Sequence, residues 1–339
     1  MAKPIVYVRA DGNSEIGLGH IIRSLALAEM LKEDFDCIFA TRFLTDYIQT
    51  EASKVCIDIV KLPESEDHFD AFLSLLSSSE TVVLDNYFFD TDYQKLIKSK
   101  GCKLVCIDDM HDKHFVADVV INHAPGVDKK QYSIESYTQL CLGLEYALLR
   151  KPFREEIAAI PNIVVEKPKN IFVCFGGTDY TNLSQKTINV LLQISNIEKI
   201  FAIIGNANKN KEKLSDAYKD NDVVSILSNL SAEEMIAAIK KSDLAIVPSS
   251  SILLEIFSVG LPVITGFFVE NQEEAFSFFV KNGLALGVNM SSENYQALLV
   301  DIFTQEIDKN KCNQMIVQQK KTIKNASPLY LKIFQKLNA

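Results

Sequence analysis

A chain of 339 residues, 47% hydrophobic and 23% charged, has room for two folded domains and carries no signature of disorder. A net charge of −9 with no long Lys/Arg run excludes nucleic acid as a partner, yet leaves small anions open, because helix-start amides hold phosphate without a basic surface. The cysteines at 37, 56, 102, 106, 141, 174 and 312 lack metal or redox spacing and read as reduced core thiols. No apolar run reaches bilayer length. The expectation is a cytoplasmic protein with no membrane contact, no metal and no cofactor, and a monomer.

Short β-branched runs alternate with longer amphipathic ones, which predicts an α/β fold of parallel strands covered by helices on both faces. In the first half, strands are predicted at 5–10, 37–40, 55–60, 81–85, 103–107 and 118–122, and helices at 20–32, 68–78 and 91–100, the last closed by Gly101. Between Leu149 and Asn170, prolines and mixed charge mark a connection. The rhythm then restarts, with strands at 170–175, 199–204, 223–226, 243–247 and 262–265 and helices at 181–195, 209–219, 231–241 and 251–259. Two Rossmann-like domains result, 1–155 and 168–339. The helical tail from Lys311 to Ala339 fits either domain.

The first strand runs into Ala10-Asp11-Gly12 and then Gly17-Leu18-Gly19-His20 at the start of a helix, the carboxyl edge where ligands bind in open α/β sheets. Gly17 and Gly19 let a ligand approach the backbone, and the helix start favours an anion. The spacing is not G-x-G-x-x-G, which disfavours NAD. A histidine in that first turn is poorly explained as core filling, and the positive helix end favours its uncharged ring, so His20 reads as a general base. Asp11 either orients His20 or polarises a water, or closes the loop as an Asx turn. Arg23, one turn on, pairs with an acid or touches a phosphate.

Further polar groups gather at predicted strand ends: Asp85-Asn86-Tyr87 and Asp108-Asp109. His111, His114 and His123 follow at spacings that fit no metal motif and read as solvated loop residues. In the second half, Gly176 and Gly177 repeat the anion-receptive turn. Ser249-Ser250-Ser251 offers hydroxyls and helix-start amides to phosphate, Glu255 lies one turn later for ribose hydroxyls, and Asn271 and Gln272 offer amides to a sugar.

IGLGH at 16–20, FGGTD at 175–179, the serine array with Glu255, GLP at 260–262 and ENQ at 270–272 together resemble the UDP-sugar hydrolases of pseudaminic acid biosynthesis and their spore-coat-polysaccharide relatives, in the same order over most of the chain. Arg9 and Asp11 match that family's opening, which implies a substrate contact for Arg9, and GLEYALLRKPF at 143–153 matches its interdomain segment. The resemblance implies a glycosyltransferase-B-like architecture with the domains facing across a cleft. It also implies metal-independent, inverting hydrolysis of UDP-2,4-diacetamido-2,4,6-trideoxy-β-L-altrose.

By motif position, His20 would activate the water, Asn271 would hold substrate or water and Glu255 would contact ribose. Ser250, Ser251, Gly17 and Gly19 would follow the pyrophosphate. Asn86 departs from the family, where a histidine is common. A UDP-sugar-dependent glycosyltransferase and a non-catalytic nucleotide-sugar-binding protein are the alternatives.

Overall fold

The computed structural model describes residues 2–13, 17–159, 167–179, 181–205 and 208–339. The chain divides into two compact units, Met1–Lys151 with Asn325–Ala339, and Pro152–Lys324.

In the first unit the strands are β1 (Ile5–Ala10), β2 (Asp36–Thr41), β3 (Asp58–Lys61), β4 (Thr81–Asp85), β5 (Lys103–Ile107), β6 (His114–Phe115), β7 (Val119–Asn122), β8 (Ser133–Ile134) and β9 (Gln139–Leu142). The helices are α1 (Gly19–Leu31), α2 (Asp46–Ser53), α3 (His68–Leu75) and α4 (Thr91–Ser99). Among the described residues, seven strands form a parallel sheet in the order β3-β2-β1-β4-β5-β7-β9, and β6 pairs with β8 apart from it. Burial on both faces explains why β4 reads Thr-Val-Val-Leu-Asp with every residue enclosed. Strand order reverses between β1 and β4, so the loops after these two strands diverge and leave a crevice at the carboxyl edge.

The second unit holds α5 (Lys151–Glu156, its first residue in the first unit), β10 (Asn170–Cys174), α6 (Leu183–Leu191), β11 (Lys199–Ile203), α7 (Lys211–Tyr218), β12 (Val224–Leu227) and α8 (Ala232–Lys240). It continues with β13 (Leu244–Pro248), α9 (Ser251–Val259), β14 (Val263–Gly266), α10 (Glu273–Lys281), β15 (Leu286–Gly287), α11 (Tyr295–Asp301) and α12 (Lys309–Thr322). Its described strands pair in parallel in the order β12-β11-β10-β13-β14-β15, with the reversal between β10 and β13.

The tail corrects the expected range 168–339. Helix α13 (Ser327–Leu337), with proline in its first turn, packs in the first unit against α1. Ala326, Tyr330, Ile333 and Phe334 join the core of Leu27, Leu31 and Phe35, and the Tyr330 hydroxyl donates to the Tyr146 carbonyl at 2.6 Å. Each large side chain so enclosed contributes roughly 1.5–3 kcal/mol, which ties the tail to this unit. Strand β3 begins at Asp58, later than expected, because the Val55 and Cys56 amides are still bonded to the Ala52 carbonyl at the end of α2.

Candidate functional site

At the crevice of the first unit, β1 leads into a loop whose shape depends on glycine. A Cβ on Gly12 would stand 2.7 Å from the Gly17 carbonyl oxygen and 2.7 Å from Ile21 Cγ1, and Gly17 itself has φ +83°. Residues 14–16, including Ile16 of the sequence motif, lie outside the described residues. Among the described residues, the space beside Gly17 and Gly19 is open, and α1 starts with neither a side-chain cap nor an acid in its first turn.

His20 is buried, and its Nδ1 lies 2.7 Å from Asp85 Oδ1 at the end of β4. Burial pushes the Asp85 carboxyl up, but the charge of Arg23, the neighbouring His20 and their hydrogen bonds outweigh it and hold the carboxyl well below its ordinary range. Asp85 is therefore an anion that only accepts, so the hydrogen between the two atoms sits on Nδ1, and in the uncharged ring the lone pair is on Nε2. Among the described residues, no hydrogen bond engages Nε2.

Arg23 donates to both oxygens of Asp85, at 2.8 and 2.6 Å, and to Asp109 at 2.8 Å; Ser24 donates to Asp85 at 2.9 Å. The 3.0 Å between Arg23 Nη2 and His20 Nδ1 is an approach of two donors that share Asp85 Oδ1. The Tyr87 ring meets the imidazole edge-on, with centroids 4.8 Å apart.

Asp11 does not orient His20. Its carboxylate accepts from Arg9 at 2.6 and 2.8 Å, from Arg42 Nε at 2.6 Å, from the Arg42 amide at 2.8 Å and from Thr41 at 3.1 Å. Arg9, expected to touch substrate, is fully enclosed under Phe88 and Phe89 and braces Asp11 instead. Asn86 takes the Asp11 amide at 2.6 Å and fixes the β1 loop against β4. His123 is likewise not solvated: it is buried, its Nδ1 accepts from the Leu148 amide at 3.2 Å, and burial followed by the Arg23 charge lowers its pKa to about 4. Among the described residues, no three His, Cys, Asp or Glu side chains gather as a metal site would require.

In the second unit, Gly176 has φ +81°, and the space beside Gly176 and Gly177 is open. A Cβ on Gly205 would stand 2.4 Å from Gly177 Cα, so Gly205, absent from the sequence reading, is what lets the two loops touch. The start of α6 is not an open anion seat, because the buried carboxylate of Asp179 accepts from the Leu183 and Ser184 amides at 2.8 and 3.0 Å. The start of α9 differs. Ser250 stands at its N-cap position without a side-chain cap bond, Ser251 follows half-buried, and there is no acid in the first turn. Ser249 is turned away onto Thr265 at 3.0 Å. Glu255 is buried on the same helix, Asn271 is exposed after β14, and Gln272 accepts from the Phe268 amide at 3.4 Å.

Each unit thus brings polar groups to the carboxyl edge of its sheet at the strand-order reversal. A crystal structure of MurG from Acinetobacter baumannii superposes with a TM-score of 0.67 over 98% of this chain and 99% of that one, at 17% identity. The fold is glycosyltransferase-B-like. Residues 156–322 of this glycosyltransferase-B-like chain match the family model described as glycosyl transferases group 1.

Among curated proteins, the chain is 25% identical over 303 residues to an uncharacterized protein of Methanocaldococcus jannaschii, with 86% of this chain aligned to only 61% of that longer protein. It is 27% identical over 289 residues to the UDP-2,4-diacetamido-2,4,6-trideoxy-beta-L-altropyranose hydrolase of Campylobacter jejuni, covering 82% of this chain and 97% of the relative. It is also 27% identical to the spore coat polysaccharide biosynthesis protein SpsG of Bacillus subtilis, over 84% of each chain. The resemblance read from the motifs to this hydrolase and its spore-coat relative stands. No helix among the described residues is long and apolar enough to cross a membrane.

Proposed function

We propose that the protein hydrolyses a UDP-linked sugar, of the 2,4-diacetamido-2,4,6-trideoxy-β-L-altrose class for which its Campylobacter relative is named, to UDP and the free sugar. The observation that carries the reading is the buried Asp85 carboxylate 2.7 Å from His20 Nδ1, which leaves Nε2 as a base. Water gives its proton to Nε2 while its oxygen bonds to the anomeric carbon. The bond from that carbon to the β-phosphate oxygen breaks, UDP leaves with the electron pair, and the configuration inverts.

The second unit supplies the nucleotide grip in this reading. Ser250, Ser251 and the uncapped start of α9 take pyrophosphate oxygens, the Gly176-Gly177 turn gives close backbone approach, and Glu255 accepts from ribose hydroxyls. Asn271 and Gln272 hold the sugar or the water, and Gly17 and Gly19 admit the ligand beside His20. Arg9 and Asp11 act as scaffold beneath the β1 loop. The step asks nothing of a metal or cofactor.

A UDP-sugar-dependent glycosyltransferase is the second reading, favoured by the family match over residues 156–322. Incubation with UDP-sugar and no acceptor separates the two. UDP and free sugar appear at once if the hydrolase reading holds, and release only on adding an acceptor overturns it.

A further inference from the structure

Arg42, which follows β2, has no part in the reaction just described, and its setting is unusual for an arginine near a sheet edge. Its Nε donates to Asp11 at 2.6 Å, its own amide donates to the same carboxylate at 2.8 Å, and only 14% of its side chain is exposed. Its Cζ lies 5.1 Å from the ring centre of Phe43 and 4.8 Å from that of Phe88. The guanidinium is thus held in one orientation. Among the described residues, neither Nη1 nor Nη2 has an acceptor, and neither belongs to the enclosed atoms left unpaired. Two donors are presented to the outside on a rigid plane.

The local charge points the same way. Arg9 and Arg42 flank the single carboxylate of Asp11, and His68, whose Nδ1 lies 3.3 Å from Arg9 Nη2, is uncharged at neutral pH because burial and then the Arg9 charge lower its pKa to about 4. Among the described residues of this cluster, one positive charge remains in excess. In the strand order β2-β1-β4, Arg42 stands two strand spacings, about 10 Å, from the end of β4 where Asp85 holds His20.

We propose that Arg42 is a specificity-determining residue that binds the carbonyl oxygen of an N-acylamino group on the sugar, with the half-buried rings of Phe43 and Phe88 beside the acyl methyl. A phosphate fits this setting poorly, since it would lie against aromatic faces. An acylamino group matches both features, with a carbonyl for the donors and a methyl for the rings. The inference rests on the reading of the ligand as a UDP-sugar.

Calorimetric titration of the full chain with UDP, UDP-glucose and UDP-N-acetylglucosamine tests it. The native protein is expected to bind UDP-N-acetylglucosamine about tenfold or more tightly than UDP-glucose. Arg42→Gln is expected to erase that preference while leaving UDP affinity unchanged. Arg42→Lys, which keeps the charge on Asp11 but lacks the second donor edge, is expected to lose most of it and decides the matter if the glutamine variant does not fold.

Equal affinities in the native protein, a preference that survives both substitutions, or an equal loss of UDP affinity each overturn the assignment. Parallel measurement of UDP release from the diacetamido-trideoxy UDP-sugar keeps the two ideas apart. A preference without release removes the hydrolase and leaves Arg42 in its role, and release without a preference does the reverse.

Discussion

Replacing Asp85 with asparagine removes a charge and changes almost no volume, so its consequences follow from hydrogen-bond direction. In the native chain every neighbour of this carboxylate donates: Oδ1 accepts from His20 and Arg23 Nη2, and Oδ2 from Arg23 Nε and Ser24. An amide must turn its NH₂ toward one of these pairs. Either position sets the NH₂ against an Arg23 N–H, which cannot accept, and the orientation that matters for the reaction is the one with NH₂ at the Oδ1 position, where its other neighbour is His20.

There the imidazole has to accept at Nδ1, which moves its hydrogen to Nε2 and removes the base. Loss of tautomer control behind a catalytic histidine costs about 10⁴-fold in kcat, and a loss of about 10³-fold or more is expected for Asp85→Asn. UDP affinity is expected to stay within about threefold, since no proposed nucleotide contact changes. Arg23 keeps Asp109 as a partner at 2.8 Å, so the destabilisation is expected below the 3–5 kcal/mol typical of a buried cation left alone, at about 1–3 kcal/mol. Steady-state UDP release, with circular dichroism to confirm folding, reads the outcome. A folded variant with native kcat refutes the assignment of the proton to Nδ1.

His20→Ala is expected to abolish UDP release and leave UDP affinity intact by calorimetry; retained turnover removes the proposed base. Glu255→Ala is expected to weaken UDP binding about tenfold while slowing saturated turnover far less, and the opposite pattern argues against a ribose contact. Gly12→Ala forces the Gly17 carbonyl and Ile21 apart, so it is expected to lower kcat by distorting the loop before His20, with little change in UDP affinity.

The buried histidines give a pH signature. His68 and His123 are both lowered to about 4, chiefly by burial, so the unfolded chain takes up their protons near pH 6.5 while the folded chain refuses them. Stability is therefore expected to fall as pH drops from about 6.5 toward 5, by up to about 2.7 kcal/mol per pH unit for the pair. Thermal unfolding of the native protein and of His68→Gln and His123→Gln checks this, and an unchanged slope in both variants contradicts it.

The parallel strands were legible because burial on both faces writes itself as short continuous apolar runs, as in Thr81–Asp85 and Asn170–Cys174. Helix α2 was not, since only Ile48 and Ala52 are buried and its start rests on a single Thr45 cap. The destination of α13 was hidden because an amphipathic stripe shows that a face is covered and not by what. The place of His20 at the start of α1 was legible from the two glycines before it. Its partner was not, because Asp85 lies 65 residues away and the sequence offered the nearer Asp11 for that role, until β4 paired beside β1 and Arg9 and Arg42 claimed Asp11. The Gly205 approach to Gly177 was out of reach for the same reason, being a contact between loops that only the sheet brings together.

The most direct test of the central claim is hydrolysis of the diacetamido-trideoxy UDP-sugar in heavy-oxygen water with no acceptor present. The expected result is release of UDP free of label, with the label on the anomeric oxygen of a sugar that NMR shows inverted. Label in the UDP phosphate, or no release until an acceptor is added, contradicts water attack at the anomeric carbon.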